Sequence, residues 1–138
     1  MPSNSTDPPD VVDRLGPITS AAVTLYVDDL DTSIAWYRDA LGLEPATVSE
    51  DAFRYAGYRA GGLAFVLEPA SAATDPRDSD RTGAAALNLV VDRDPEVIRS
   101  ELTASGVACT EVKRSPGFDT FLVRDPDGHR IYVTRARA

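Results

Sequence analysis

Apolar and polar residues alternate along several short segments of the chain, and two longer segments between them place apolar residues at helical spacing. Residues 22–48 and 86–112 carry the same pattern, 64 positions apart: an apolar strand stops at an aspartate, an amphipathic helix follows, and a glycine ends the helix. The matched positions are Leu25 with Leu89, Ile34 with Ile98, Gly42 with Gly106, and Val48 with Val112. Two copies of one supersecondary unit predict a fold built from a repeated module.

In the first copy, the pattern predicts a strand over 18–27 and a helix that begins at Leu30-Asp31, with Asp31 as the N-cap, and ends at Gly42. The predicted buried stripe of this helix consists of Ile34, Tyr37 and Leu41. Three further strands are predicted at 45–50, 52–60 and 62–68, with Gly61-Gly62 as the hairpin turn between the last two.

The second copy predicts a strand over 84–92 and a helix that starts at Asp94-Pro95, an N-cap followed by proline at the first helical position. Ile98 and Leu102 are expected to face inward, and Gly106 is expected to end the helix. Strands are predicted at 107–113, 118–124 and 129–135, with the sequence Asp125-Pro126-Asp127-Gly128 forming the turn between the last two.

The predicted order is therefore βαβββ, a connector, and βαβββ, which is an α+β fold of two modules. Residues 18–138 are predicted to form one domain, with module one at 18–69, the connector at 70–83 and module two at 84–135. Residues 1–17 are rich in Pro, Asp and Ser and have no periodicity, so a disordered tail is expected.

Composition excludes several classes of function. The net charge of −8 argues against a nucleic-acid partner, whose phosphates attract basic surfaces. No apolar run approaches the roughly 20 residues that span a bilayer, so no membrane partner is expected. The single cysteine, Cys109, cannot form an intramolecular disulfide and fits a cytoplasmic protein, where we expect it to be a small apolar residue of a strand.

The order of elements and four short motifs resemble the vicinal oxygen chelate superfamily, which includes glyoxalase I, extradiol dioxygenases and bleomycin resistance proteins. The motifs are Val27-Asp28-Asp29-Leu30, Ser33-Ile34-Ala35-Trp36-Tyr37, Leu41-Gly42-Leu43 and Asp125-Pro126-Asp127-Gly128. The resemblance implies that the modules form a glyoxalase/bleomycin-resistance-like curved sheet around a ligand-binding cleft. It also implies a homodimer, because bleomycin resistance proteins are dimers with clefts between the partners.

Enzymes of this superfamily usually bind a metal through four cleft positions, which the resemblance places at Ala22, Val66, Ala86 and Tyr132. Alanine and valine have no donor atoms, and one neutral phenol is a poor ligand for a transition metal. The only histidine, His129, lies in the hairpin beyond the turn, where a surface or turn role is expected. The sequence therefore predicts no bound metal and no other cofactor.

Strand alternation then predicts which side chains face the cleft. The predicted ligand-binding residues are Ala22, Thr24, Tyr26, Val66, Glu68, Ala86, Asn88, Arg130, Tyr132 and Thr134, with Ala64 and Val90 on the same faces. The facing of five further aromatic residues stays open: Phe53, Tyr55, Tyr58, Phe118 and Phe121. Trp36 is interpreted as a core residue.

Three functions fit these features. The first is a metal-independent protein that binds and sequesters a small molecule with aromatic or antibiotic-like character, since the predicted cleft has small, apolar and aromatic walls. The second is a cofactor-free isomerase, cyclase or lyase that uses Tyr132 or Glu68 for proton transfer. The third is a regulatory or partner-binding module that retains only the fold.

Overall fold

The computed structural model describes residues 14–51, 54–72 and 86–137. The first module contains β1 (Val23–Val27), α1 (Leu30–Leu41), β2 (Thr47–Ser49), β3 (Tyr55–Ala60) and β4 (Leu63–Pro69), followed by a 3₁₀ turn at Ala70–Ala72. The second module contains β5 (Ala86–Val90), α2 (Pro95–Ala104), β6 (Lys113–Ser115), β7 (Phe118–Arg124) and β8 (Arg130–Ala136).

Each module forms a four-stranded sheet, with strand order β1-β4-β3-β2 in the first and β5-β8-β7-β6 in the second. The first strand of each module pairs in parallel with the last, and the remaining pairs are antiparallel. The prediction of an α+β fold with two βαβββ modules is therefore confirmed. Neither sheet closes into a barrel.

The N-cap of helix α1 lies two residues earlier than the sequence pattern predicted. Its N-cap is Asp29, whose Oδ1 accepts a hydrogen bond from the backbone N–H of Thr32 at 3.1 Å, so the prediction of Asp31 as the N-cap is wrong. Asp31 instead lies in the first turn, where its charge favours the helix dipole and where it pairs with Arg54 at 3.0 Å. The helix ends as predicted at Gly42, which has the left-handed φ of 71° that glycine adopts without strain.

Helix α2 has the predicted N-cap Asp94 and the predicted proline at its start. The N-caps Asp29 and Asp94 are 65 residues apart, whereas the repeated sequence pattern predicts a spacing of 64 residues. Ile98 therefore corresponds to Ser33, not to Ile34, and Leu102 corresponds to Tyr37. One additional residue between β5 and α2 produces this shift. Helix α2 is also shorter than α1, with 10 residues against 12.

Several predicted strand boundaries are wrong. β1 begins at Val23 and not at 18, and β6 covers Lys113–Ser115 where a strand over 107–113 was expected. Thr110 explains the second difference, because its hydroxyl and not its backbone carbonyl accepts the hydrogen bond from the Leu122 N–H at 2.9 Å. This interrupts the ladder, and Cys109 makes only an isolated bridge to Val123.

Parts of the predicted domain division lie outside the described residues. These parts are 1–13 of the expected tail, 73–83 of the connector, residues 52 and 53 of the predicted third strand, and residues 84 and 85 of the predicted strand over 84–92. Residues 14–22 are described and contain no helix or strand. The division into tail, connector and modules remains a prediction.

The core lies between the helices and one face of each sheet. In the first module, Val27, Tyr37, Phe65 and Leu67 are fully buried, and Tyr58 stacks on Phe65 with ring centroids 4.8 Å apart. The corresponding core of the second sheet contains Leu87, Leu102, Phe121, Val123, Ile131 and Val133. Burial of these side chains provides the main stabilisation of each helix on its sheet. Val23 has the same strand parity as the buried Leu25 and Val27 but is 40% exposed at the start of its strand.

The turn between β7 and β8 joins the two modules through side-chain hydrogen bonds. The Tyr37 hydroxyl donates to Asp125 Oδ2 at 2.8 Å, and Asp125 Oδ1 accepts from the backbone N–H groups of Asp127 and His129. Asp127 in turn accepts from the Asp28 N–H at 2.9 Å and from the Ser33 hydroxyl at 3.4 Å.

His129 completes this junction through its ring. Its Nε2 lies 2.7 Å from the carbonyl oxygen of Tyr26 on β1, and Nε2 must be the donor because a carbonyl oxygen can only accept. We refer to the side chains of Ser33, Tyr37, Asp125, Asp127 and His129, with the Tyr26 carbonyl, as the clamp. The prediction of a surface or turn role for His129 therefore missed one contact: the residue also holds module two against module one.

Neither helix of the described chain is long and apolar enough to cross a bilayer.

Candidate functional site

Alternate side chains of β1, β4, β5 and β8 point away from the helices, and we call this side of each sheet its open face. The ten predicted ligand-binding residues lie at these alternate positions. The residues next to them along the strands, such as Leu25, Leu67, Leu87 and Ile131, are buried on the opposite face. Ala22 immediately precedes β1. Ala22, Thr24, Ala86 and Asn88 are exposed, and the other six are half-buried.

On the first sheet, the open face is formed mainly by small side chains. Thr24 lies beside Val66, and Val66 lies beside Gly57 on β3, so the middle of this face is bare backbone. A Cβ on Gly57 would meet the side chain of Thr47 only at 3.8 Å, and its φ is not left-handed. Neither close packing nor backbone strain therefore requires glycine here, and the position leaves room for a ligand near the backbone. The neighbouring row pairs Tyr26 with Glu68, a phenol beside a carboxylate.

On the second sheet, the open face carries larger side chains and a hydrogen-bonded chain. Asn88 lies beside Tyr132, and Tyr132 lies beside Leu122 on β7. The hydroxyl of Thr134 donates to Asn88 Oδ1 at 2.8 Å and lies 2.8 Å from the hydroxyl of Thr120. These contacts fix the Asn88 amide oxygen as an acceptor within the protein, so its NH₂ group is the part oriented for other partners.

Arg130 adds a positive charge to the second open face. It lies beside Ala86 on one side and Arg124 on the other, where the Arg124 guanidinium donates to the Gly128 carbonyl at 3.0 Å. Two guanidinium groups on adjacent strands favour a ligand with an oxygen-rich or anionic group at this end of the sheet.

The residues at the four positions that hold metal in related enzymes do not fit a metal ion. Ala22, Val66 and Ala86 present only carbon, and Tyr132 is a single phenol. Over the described ranges 14–51, 54–72 and 86–137, no group of three or more His, Cys, Asp or Glu side chains could coordinate an ion. We therefore derive no chemical step through a metal at these positions.

The structure brings the predicted residues together within each sheet but does not place all ten in one enclosed cavity. Val66 contributes to a shallow depression of about 180 Å³ on the first sheet. Asn88 contributes to a groove of about 890 Å³ between the modules. A third cavity, of about 710 Å³ between α1 and residues 105–110, contains none of the ten.

Sequence reasoning missed the middle strand of each open face, which contributes Gly57, Leu122 and Arg124. The hairpin turns could have identified them. The turn at Gly61-Gly62 sets the register that puts Gly57 beside Val66, and the four-residue turn before His129 puts Leu122 beside Tyr132.

The structure settles the facing of four aromatic residues that the sequence left open. Tyr58 and Phe121 are buried in the core. Phe118 and Tyr55 lie on the strand faces opposite to the core, where Phe118 is 41% exposed and Tyr55 is half-buried. Phe53 lies outside the described residues. Trp36 is half-buried and packs edge-on against Tyr37 at 5.1 Å, next to the cavity beside α1.

The environment of the Cys109 thiol disfavours a nucleophilic role, because burial outweighs the opposing effects of Thr103 and Arg99 on its pKa. Burial raises its pKa above the usual value, which disfavours the reactive thiolate. The sulfur lies 3.5 Å from the carbonyl oxygen of Val107, an acceptor that further favours the protonated form.

Comparison with known proteins agrees with this architecture. The family model described as the Glyoxalase/Bleomycin resistance protein/Dioxygenase superfamily matches residues 19–133. A superfamily member from Sphaerobacter thermophilus DSM 20745 is similar in structure, with a TM-score of 0.71 and 24% identity over 86% of this chain and 99% of that chain. Among curated proteins, none matches this chain.

Two further solved structures with the same fold have different described activities. TnmS3, an antibiotic binding protein from Streptomyces sp. CB03234, has a TM-score of 0.68 and 19% identity over 88% of this chain and 100% of that chain. Lactoylglutathione lyase from Agrobacterium tumefaciens has a TM-score of 0.62 and 23% identity over 86% of this chain and 95% of that chain. At these identities the likeness concerns the fold alone.

Proposed function

Since the chain belongs to the glyoxalase/bleomycin resistance protein/dioxygenase superfamily, we propose that it is a metal-independent binding protein that sequesters an aromatic, antibiotic-like small molecule on its open faces. The observation that carries the proposal is the identity of the residues at the four metal-binding positions, three of which are alanine or valine. Shape and aromatic contact are then the available sources of affinity.

The two open faces complement each other as walls of a binding site. Gly57, Val66 and Thr24 leave space over the first sheet, whereas Tyr132 offers an aromatic surface on the second. Asn88 and Arg130 supply donors that would orient a ligand's oxygen atoms. TnmS3, an antibiotic binding protein, has this fold, so the fold is compatible with the proposed role.

The test is a titration of the purified protein with a panel of aromatic antibiotics, followed by calorimetry and Trp36 fluorescence. Each stacking contact contributes on the order of 1 kcal/mol, so Tyr132→Ala should weaken binding several-fold. Ala86→Phe should weaken binding by filling the site. Arg54→Gln, which removes an exposed side chain paired with Asp31, is the control and should bind as the wild type does. A ligand whose affinity neither Tyr132→Ala nor Ala86→Phe changes would show that the open faces are not its site.

Metal independence requires its own measurement. Elemental analysis after dialysis should find no stoichiometric transition metal, and addition of Ni, Mn, Fe or Zn should not raise the melting temperature in a saturable way. Ligand affinity should be equal with and without EDTA. About one equivalent of bound metal, or affinity lost in EDTA, would refute this part of the proposal.

A second candidate function is catalysis without a cofactor, as an isomerase, cyclase or lyase. The pairing of Tyr26 with Glu68 on the open face favours it, because a carboxylate beside a phenol can move a proton at a bound substrate. Tyr132 is the other candidate for proton transfer. Product formation in EDTA that Glu68→Gln or Tyr132→Phe abolishes, with binding retained, would establish catalysis; saturable binding without turnover favours sequestration.

A further inference from the structure

The two modules meet at two junctions that are related by the internal repeat, and only one of them is filled. The clamp occupies the junction between α1 and the β7–β8 turn. The repeat relates β1 to β5 with an offset of 64 residues, since Thr24 lies beside Val66 and Asn88 lies beside Tyr132. The helices are offset by 65 residues, as their N-caps show, and so are β3 and β7, since Gly57 and Leu122 lie beside Val66 and Tyr132. The end of the turn and the last strand of each module are offset by 66, as Gly62 and Gly128 show.

These offsets assign a counterpart to every member of the clamp. The counterparts of Ser33 and Tyr37 are Ile98 and Leu102, and the counterpart of Tyr26 is Val90. The carboxylates and the imidazole of the other turn are replaced as follows: Asp125 by Ala60, Asp127 by Gly61, and His129 by Leu63.

All six counterparts line the same groove of about 890 Å³, which we call the junction groove. The groove therefore lies where the clamp lies in the other half of the molecule. It stays open because Gly61 has no side chain to reach β5, and because the hydroxyls that would anchor a carboxylate are replaced by aliphatic carbon. A volume of about 300–1,000 Å³ is typical of small-molecule sites.

The walls and the rim of the junction groove differ in chemistry. The walls are aliphatic and come from both modules: Leu41, Leu43, Leu63, Val91, Ile98 and Leu102. At the rim, Arg93 is held by Glu101 through two contacts of 2.8 and 3.2 Å, which neutralises that pair. The Arg59 guanidinium is exposed and makes no ion pair or hydrogen bond with any residue in the described part of the chain, so its charge is available.

We propose that the junction groove is a second binding site, which adjoins the open faces through Arg59, Asn88 and Val90, for a small apolar anion such as an aromatic or alkyl carboxylate or sulfonate. The aliphatic walls take the apolar body, and the Arg59 guanidinium pairs with the anionic group. The local charge at Arg59 attracts an anion even though the whole chain carries a net charge of −8.

The test uses the full chain and two naphthalene probes of similar shape: 1-anilinonaphthalene-8-sulfonate, which is an anion, and N-phenyl-1-naphthylamine, which is neutral. Fluorescence titration should show saturable binding of the sulfonate. Arg59→Gln should weaken the sulfonate about tenfold, as expected for loss of one charge-assisted hydrogen bond, and leave the neutral probe nearly unchanged. Ile98→Trp should weaken both probes by filling the groove.

The matched control is Arg54→Gln, which removes the same charge at the other end of the same polypeptide segment, five residues away, and should change neither affinity. Thermal melts of each variant identify loss of folding, and amide NMR shifts on probe binding should concentrate at Gly61, Gly62 and Val90. No saturable binding of the sulfonate would overturn the inference. Binding that Tyr132→Ala weakens and Arg59→Gln does not would place the probe on the open faces and would equally overturn it. A dimer that Ile98→Trp dissociates would mean that a second copy covers the groove, which also excludes the site.

The proposed function and this inference can fail separately. Loss of antibiotic binding in Tyr132→Ala tests the open faces, and loss of sulfonate binding in both Arg59→Gln and Ile98→Trp tests the groove, because Ile98 lies on α2 and not on an open face. A protein that binds the sulfonate probe but none of the antibiotics would retain the second site and lose the first.

Discussion

Tyr37 and Tyr58 are neighbouring buried residues that differ in whether the hydroxyl has a hydrogen-bond partner. Replacing each by phenylalanine therefore separates the contribution of hydrogen bonding from that of packing. Tyr37 and Tyr58 are 0% and 2% exposed, with ring centroids 5.7 Å apart. The Tyr37 hydroxyl donates to Asp125 at 2.8 Å, whereas the Tyr58 hydroxyl has no hydrogen-bond partner among the described residues. Because Tyr→Phe keeps the ring in place, each variant reports mainly on the hydroxyl.

The expected effects have different magnitudes. Hydrogen bonds to charged groups contribute about 1.5–3 kcal/mol, and Asp125 retains two backbone N–H donors, so Tyr37→Phe should lower the free energy of unfolding by about 2 kcal/mol. Tyr58→Phe removes a buried hydroxyl without a described partner, so the free energy of unfolding should stay within about 0.5 kcal/mol or rise.

Urea unfolding at fixed protein concentration, followed by circular dichroism and Trp36 fluorescence, measures both changes. A double-mutant cycle of Tyr37→Phe with Asp125→Asn should give a coupling of about 1 kcal/mol or more, since the two residues share one bond. If Tyr58→Phe destabilises the protein as much as Tyr37→Phe, or if the coupling is near zero, the attribution of stability to the clamp is refuted.

Three further predictions follow from burial and pairing. Burial, with the nearby Glu44 as a smaller contribution, raises the pKa of Tyr58 to about 12. The stability that depends on the protonated Tyr58 hydroxyl is therefore fully present below the unfolded pKa near 10 and is lost as the pH rises through 12. Alkaline unfolding curves should show this loss, and Tyr58→Phe should reduce it. Phe65→Ala should lower the free energy of unfolding by about 3–5 kcal/mol, whereas Val66→Ala on the adjacent open face should lower it by less than about 1.5 kcal/mol; similar urea midpoints for both variants would contradict the assignment of the faces. The protein should form a homodimer because its open faces and edge strands are exposed, so light scattering should give twice the mass of 14.8 kDa, and a mass of 14.8 kDa at tens of micromolar would exclude it.

The sequence predicted features that depend on local rules. The helix stop at Gly42 and the Asp94-Pro95 start of α2 both follow from the chemistry of a few adjacent residues, and so does the strand alternation that separates the open-face residues from the core. The open-face residues could be named for the same reason, although ligand binding by them remains a prediction.

Features that depend on contacts between distant segments could not be predicted in this way. Thr110 interrupts a strand because its hydroxyl replaces a backbone acceptor for Leu122, and the spacing of apolar residues carries no signal of that substitution. The one-residue shift of α2 hid the correspondence between Tyr37 and Leu102. His129 was expected at the surface because its partner, the Tyr26 carbonyl, is 103 residues away in sequence.

The clamp and the junction groove show how a repeated module can acquire two different roles from the same backbone geometry. At the clamp, Ser33 and Tyr37 supply hydroxyls that satisfy two aspartates, and the polar groups that the junction buries are paired. At the groove, Ile98 and Leu102 could not satisfy such carboxylates, and an aspartate at the position of Ala60 or Gly61 would lack these partners. Replacement of the hydroxyls and replacement of the carboxylates are therefore linked changes, because either one alone would leave a polar group without its partner. The open volume is the consequence of both, and it leaves the second junction as the surface available to a ligand.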